Sequence, residues 1–213
     1  MDNIKLWFRE RKAVYSTLAL FYGGNLKTGL NILENTDLLE KLTKWKSNLA
    51  VPRGAEMISS EINRNNLNSK YREELWEDYY RLFLGPGRIL AASWESVYEN
   101  KDRLIFGKSE LSVRRFYHEF GLEVNPKEAA DHLHFELSFM ARLCDFGLRG
   151  DLQNITRILE AMEKFLKDHL CRWISTWKDS VKLHAETGFW VEFSNMTEGW
   201  LMGNLQEIEK LKR

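Results

Sequence analysis

The chain has 213 residues and a mass of 25.2 kDa, and its 31 basic and 31 acidic side chains cancel to a formal net charge of zero. A chain of this size buries roughly 70% of its surface on folding, so its core needs no staple, and charge neutrality excludes a dedicated nucleic-acid binder, which needs a basic excess against phosphates. Aromatics at 13% exclude a disordered chain, and two cysteines, Cys144 and Cys171, are too few for a disulfide framework or a four-thiolate zinc site, which points to a reducing compartment.

Helical periodicity dominates from the start. Ile4, Phe8, Tyr15, Leu18 and Tyr22 return to one helix face until Gly23-Gly24 stops the run. Asp37 to Trp45 reads as a second helix, with Leu38, Leu39, Leu42 and Trp45 on its apolar side. From Asn68 to Leu84 the positions Tyr71, Leu75, Tyr79, Leu82 and Phe83 fall at helical spacing, and Gly85-Pro86-Gly87 ends that element. A helix is expected at 110–120. His132 to Leu148 carries Leu133, Leu137, Met140, Cys144 and Leu148 on one stripe, and Leu152, Ile155, Leu159, Met162 and Leu166 form the next. Gly147 and Gly150 are read as the break between those two, as in packed antiparallel helices. Further helices are expected at 169–185 and 194–212. Val, Ile and Thr never alternate in strand-like runs, and no internal repeat or charge block is present. The fold class expected is all-α, a single compact multi-helix domain over residues 1–213.

No stretch reaches the roughly 18–20 uninterrupted apolar residues of a membrane span. Met1–Lys12 mixes charges of both signs and has no apolar core, so no cleavable leader and no membrane insertion are expected, and a cytoplasmic location is.

Between Leu84 and Glu110 the helical period lapses, yet Trp94, Tyr98 and Phe106 lie there. Loops of this length are usually functional or disordered, and large aromatics argue against disorder. Enzyme motifs nearby fail. Phe106-Gly107-Lys108-Ser109 ends like a phosphate loop, but Asp102 occupies the position of the required first glycine and no strand precedes it. His132 and Glu136, four apart, supply two metal ligands on one helix face where a closed zinc site needs four. No paired Glu-x-x-His motif of a di-iron bundle occurs. Ser112-Val113-Arg114-Arg115-Phe116 mimics an export signal but sits deep in the chain with no long apolar run behind it. No catalytic residue, metal or cofactor is expected.

The segment Tyr71–Leu143 resembles the TorD/DmsD/NarJ-type redox-enzyme maturation chaperones, with the TorD/DmsD branch the nearest match. Tyr80-Arg81-Leu82-Phe83-Leu84-Gly85-Pro86-Gly87 is similar to the family's aromatic-x-Arg-Leu-Phe-x-Gly-Pro run, and Ser93-Trp94-Glu95-Ser96-Val97-Tyr98 to its Pro-Pro-Trp-x-Ser-Val-Tyr/Trp element. Leu104-Ile105-Phe106-Gly107, Val113-Arg114-Arg115-Phe116-Tyr117 and Asp131-His132 with Glu136-Leu137 follow in the family's order, and weaker similarity continues through His169-Leu170. Ala92-Ser93 replaces the family's two prolines, and Ala129-Ala130 stands where the family often has Glu-Pro. The resemblance implies a non-enzymatic cytoplasmic chaperone that binds the twin-arginine signal peptide, the apo form, or both, of the catalytic subunit of a molybdenum-cofactor oxidoreductase. It would support cofactor insertion and delay export until folding is complete.

A receptor for such a peptide needs carboxylates for two guanidinium groups and an apolar surface for the segment behind them. Residues 71–99 hold six acids (Glu73, Glu74, Glu77, Asp78, Glu95, Glu99) against three arginines, and seven aromatics. The peptide-binding residues expected are Trp76, Tyr80, Leu82, Phe83, Trp94, Glu95, Tyr98, Asp131, His132 and Glu136. Within that set Trp76, Phe83, Trp94 and Tyr98 line the groove, and Glu95, Asp131 and Glu136 meet the arginines. Gly85, Pro86 and Gly107 shape the loop. Read without the resemblance, Tyr79, Leu82 and Phe83 are equally ordinary core, and Asp131 equally a helix cap. Two other classes stay open: a nucleotide- or metal-dependent enzyme or switch built on Phe106–Ser109 and the Asp131 region, and a helical adaptor whose 84–110 loop is fully packed. A monomer or a homodimer is expected, with no nucleic-acid partner.

Overall fold

A computed structural model describes residues 2–99 and 102–212. It is all-α: among the described residues there is no strand, only an isolated bridge between Trp94 and His132. The helices are α1 (Asp2–Tyr22), α2 (Leu26–Asn35), α3 (Leu38–Thr43), α4 (Ala50–Asn65), α5 (Ser69–Tyr79), α6 (Glu95–Glu99), α7 (Lys108–Glu119), α8 (Leu133–Arg149), α9 (Leu152–Phe165), α10 (Cys171–His184) and α11 (Gly188–Leu211). Two π-helical segments extend α5 and α9, Tyr80–Leu84 and Leu166–Leu170. The chain divides into two compact units. One comprises Met1–Asn25, Trp94–Trp173 and Ile208–Arg213, the other Leu26–Ser93 and Ile174–Glu207. None of the described helices is long and apolar enough to cross a membrane.

In the first unit α1 buries Phe8, Tyr15, Leu18 and Tyr22, the stripe its period marks, against α8. The expected break at Gly147 is corrected: α8 runs through it to Arg149, and Gly147 is buried. The glycine is there for space, because a Cβ would lie 2.5 Å from Phe8 Cζ. The connection to α9 is made by Gly150 and by Asp151, whose side chain accepts from the Asn154 N–H at 3.0 Å as an N-cap. Phe116, Tyr117, Phe139 and Phe165 close the core of this unit, with ring centroids 4.7–6.1 Å apart.

In the second unit two helices appear where none was expected. The α2 helix buries Leu26, Leu30 and Leu33, and α4 buries Val51, Ala55 and Ile58. Pro52 falls in the first turn of α4, where its missing N–H costs nothing. Gly54 lets α11 approach: a Cβ there would lie 2.9 Å from that of Met196. The α5 helix starts at Asn68, whose side chain accepts from the Tyr71 N–H, as its sequence suggests. Its core face carries Tyr79 and Phe83 into a cluster with Trp177 and Trp190, and the Trp190 indole donates to Leu75 O at 3.0 Å. Asp78, at 2% exposure, accepts from the Glu186 and Thr187 backbone N–H groups and the Thr187 hydroxyl and pairs with Arg81, tying α5 to the turn between α10 and α11.

Gly147→Ala tests the close approach of α8 to α1. Alanine gains about 1 kcal/mol of helix propensity over glycine, but overpacking against Phe8 costs roughly 1–3 kcal/mol. We expect a net loss of stability in urea unfolding, and the Phe8→Leu/Gly147→Ala pair should lose less than the sum of its two single variants.

Candidate functional site

The expected site residues separate into two groups, one in each unit. In the second unit Leu82 and Phe83 are core, at 0% and 2% exposure, so Phe83 does not line an open groove. Trp76 and Tyr80 are outward, at 44% and 43%, and Leu84 joins them at 44%. These three side chains are four residues apart. In a continuous α-helix a four-residue step overshoots the 3.6-residue turn by about 40°, so the row drifts around the axis. The π segment from Tyr80 winds more slowly, and the step from Tyr80 to Leu84 takes that drift back. Trp76, Tyr80 and Leu84 therefore share one face, and Trp76 is braced by stacking on Tyr79 at 5.4 Å. Exposed Glu73 and Glu77 occupy the adjacent helix row, three residues before Trp76 and Tyr80.

The π segment ends at Gly85, whose N–H donates to Tyr80 O at 2.6 Å and whose φ of +42° a side chain would strain. Pro86 is exposed. Beyond it, the Ala91 N–H donates to Leu82 O, and Ser93 is buried and accepts from the Trp177 indole at 3.3 Å.

In the first unit Trp94, Glu95, Asp131, His132 and Glu136 are brought together. The Glu95 N–H donates to Asp131 O at 3.0 Å, and the Ser96 N–H donates to Asp131 Oδ2 at 2.8 Å. Asp131 is thus a cap, but of α6; α8 is capped by His132, whose Nδ1 accepts from the His134 N–H. The Trp94 ring meets His132 edge-on at 4.8 Å, and both are half-buried. Tyr98 stacks on Trp173 at 5.4 Å.

The carboxylates expected to meet arginines are turned inward. Glu95, Asp131 and Glu136 are 1%, 0% and 0% exposed, so none of them reaches a ligand at the surface as the chain is folded here. Glu95 instead pairs with buried His169, Oε2 to Nδ1 at 2.9 Å. His169 escaped the expected set because a histidine among Phe165, Leu166 and Leu170 reads as core; its partner lies 74 residues away. Tyr117 completes the enclosure, donating to Ala130 O at 3.1 Å.

Burial pushes Glu136 well above the usual carboxylate range, and the charges of Glu95 and Asp131 add to it. Burial also raises Asp131, against the Ser96 hydrogen bonds that lower it. The two neighbouring imidazoles move the other way. Burial lowers His132 to about 3, with a contribution from His134, and lowers His134 to about 4.

The phosphate-loop likeness carries no loop geometry. Gly107 precedes α7 with an extended φ of −85°, a Cβ on it would make ordinary contact with Ser96, and the buried Ser109 hydroxyl donates to Glu99 Oε2 at 2.8 Å. Among the described residues no group of three His, Cys, Asp or Glu side chains could hold a metal ion. The loop before α7 is packed over residues 91–97 but leaves Leu104, Ile105 and Phe106 exposed, unlike the fully packed connection of an inert adaptor.

The sequence profile of the nitrate reductase delta subunit family matches residues 36–179, which contain every residue described above at both groups. The chain belongs to that family. It is 23% identical to the chaperone protein TorD of Vibrio parahaemolyticus over 95% of this chain and 100% of that one. It is 30% identical to the probable Tat proofreading chaperone DmsD of Haemophilus influenzae over 48% of this chain and 46% of that one. The Tat proofreading chaperone DmsD of Salmonella paratyphi A is 29% identical over 55% of this chain and 54% of its own. The chain is a redox-enzyme maturation chaperone rather than a catalyst.

The sign of the pH dependence follows from the shifts. Glu136 and Asp131, raised in the fold, stabilise it at low pH and lose that contribution as pH rises above the ordinary carboxylate range. His132 and His134, lowered in the fold, stabilise it above pH 6.5 and lose that contribution as pH falls toward 4 and 3. Glu136→Gln keeps the shape and removes the ionisable group. Its unfolding midpoint in urea should rise above wild type at about pH 8 and match it near pH 4.5, where the carboxyl is protonated.

Proposed function

We propose that this chaperone binds the twin-arginine signal peptide of a molybdenum-cofactor oxidoreductase in the cytoplasm and delays its export until the cofactor is in place. The observation that carries the reading is the exposed Trp76–Tyr80–Leu84 face with Glu73 and Glu77 on the next row. An aromatic surface gives a large contact area at low entropic cost for an apolar segment that becomes helical on docking. Exposed carboxylates beside it meet arginines without the desolvation that burial imposes. The family motif Tyr80–Gly87 supports the same face, because it contains both Tyr80 and Leu84 together with the π segment and the Gly85 turn that hold them.

In this reading Leu82 and Phe83 anchor the helix that presents the face. In the first unit Glu95 and Asp131 set the position of α6 and of Trp94, with His132 packed on that ring. They serve recognition by holding Trp94 and Tyr98 in place, and the exposed glutamates take the arginines.

The test is fluorescence anisotropy with a labelled twin-arginine peptide and the full chain. Trp76→Ala/Tyr80→Ala should weaken binding by at least about tenfold, the scale of an interface hot spot, with unfolding unchanged. Glu73→Lys/Glu77→Lys should weaken it and remove much of its salt dependence, and a twin-lysine peptide should bind less tightly to wild type. Unchanged affinity in both double variants would overturn the assignment.

A further inference from the structure

A second surface, in the first unit, has the opposite charge. Where α8 ends and α9 begins, an open hollow of about 380 Å³ is floored by Phe120, Phe146 and Ile158 and rimmed by Arg149, Arg157 and Glu119. Arg157 lies over the Phe120 ring, 5.5 Å from its centroid, and Arg142 over Phe146 at 4.9 Å. Beside the hollow, Asp145 accepts from three cations: Lys12 on Oδ1 at 2.7 Å, and Arg142 and Arg149 on Oδ2 at 2.9 and 2.7 Å.

Lys12, which joins α1 to α8, takes Oδ1, and the two arginines share Oδ2. Three cations on one carboxylate leave this face with surplus positive charge, and they are 43%, 44% and 69% exposed in the order Lys12, Arg142, Arg149 while the carboxylate beneath them is buried. Arg157 adds a further guanidinium across the hollow. A free inorganic anion has no use for a floor of two phenyl rings and an isoleucine. A peptide does, provided it carries both acidic and large apolar side chains.

We propose that this hollow is a docking surface for an acidic segment of a partner protein, whose carboxylates meet Arg149 and Arg157 while an aromatic or leucine side chain covers Phe120 and Phe146. It does not depend on signal-peptide binding, and a twin-arginine peptide is repelled here. A volume of this size holds one large side chain and its neighbours. The rim supplies charge that is screened at high salt, so the contact is fast and reversible.

The probe is a fluorescein-labelled peptide, Glu-Glu-Phe-Glu-Asp-Leu-Glu-Glu, titrated onto the full chain beside its lysine-substituted counterpart. The acidic peptide should bind in low salt, weaken on going from about 50 to about 300 mM salt, and lose at least about tenfold in affinity in Arg149→Gln/Arg157→Gln. That variant should keep wild-type affinity for a twin-arginine peptide. Should it fold poorly, Arg157→Gln alone, which leaves Asp145 untouched, should still weaken the acidic peptide severalfold. Equal binding of the two probe peptides, unchanged affinity in the variants, or displacement of the acidic peptide by low-millimolar inorganic phosphate would overturn the proposal, the last by making the hollow a small-anion pocket.

Discussion

Asp131 holds the site of the first unit together through two hydrogen bonds that no helix supplies to itself. Its carboxylate takes the Ser96 N–H and its carbonyl the Glu95 N–H, so the start of a five-residue helix is capped by a residue 35 positions further on. So short a helix has no independent stability, since nucleation fixes several residues for little hydrogen bonding. The Trp94-Glu95-Ser96-Val97-Tyr98 motif keeps its shape only because Asp131 receives its N-terminus and His169 holds Glu95. Two stretches far apart in the sequence therefore form one physical unit.

That arrangement has an electrostatic cost. Three carboxyl groups and one imidazole share an enclosure with almost no exposure, and burial raises two of the carboxyls, Asp131 and Glu136. The cost is visible at Glu136, which is raised well above the usual carboxylate range, while Glu95 is held by the His169 imidazole at 2.9 Å. Such a network specifies one arrangement of α6 against α8 better than an apolar cluster would, because each polar atom accepts few partners. Recognition by contrast is carried where solvation is cheap. The Trp76–Tyr80–Leu84 face and the Arg149–Arg157 hollow both set exposed charge beside exposed rings, with opposite sign.

The π segment of α5 shows how a local irregularity becomes functional geometry. Without it, Leu82 and Phe83 could not remain buried while Tyr80 and Leu84 both point out in line with Trp76. A single extra residue in the turn serves both the core and the surface. The Gly85 turn that follows is strained for any other residue, which explains a glycine in the motif without assigning it a ligand.

By itself the sequence determined the all-α class, most helices, the Asn68 start of α5 and the motifs that place the chain in its family, because apolar period and caps are local properties. It also marked the acid-rich, aromatic stretch 71–99 inside a chain of zero net charge. Only the tertiary structure decided which of those acids face water. Glu73 and Glu77 do, whereas Glu95 is met by a partner 74 positions away and Asp78 by partners 108 and 109 positions away, which no local pattern reveals. Gly147 looks like a breaker in sequence and is a contact point in space, as Gly54 is, since a missing side chain has the same letter in either role. The division into two units is equally silent, because two of its boundaries fall inside α10 and α11 with no proline or glycine linker to mark them.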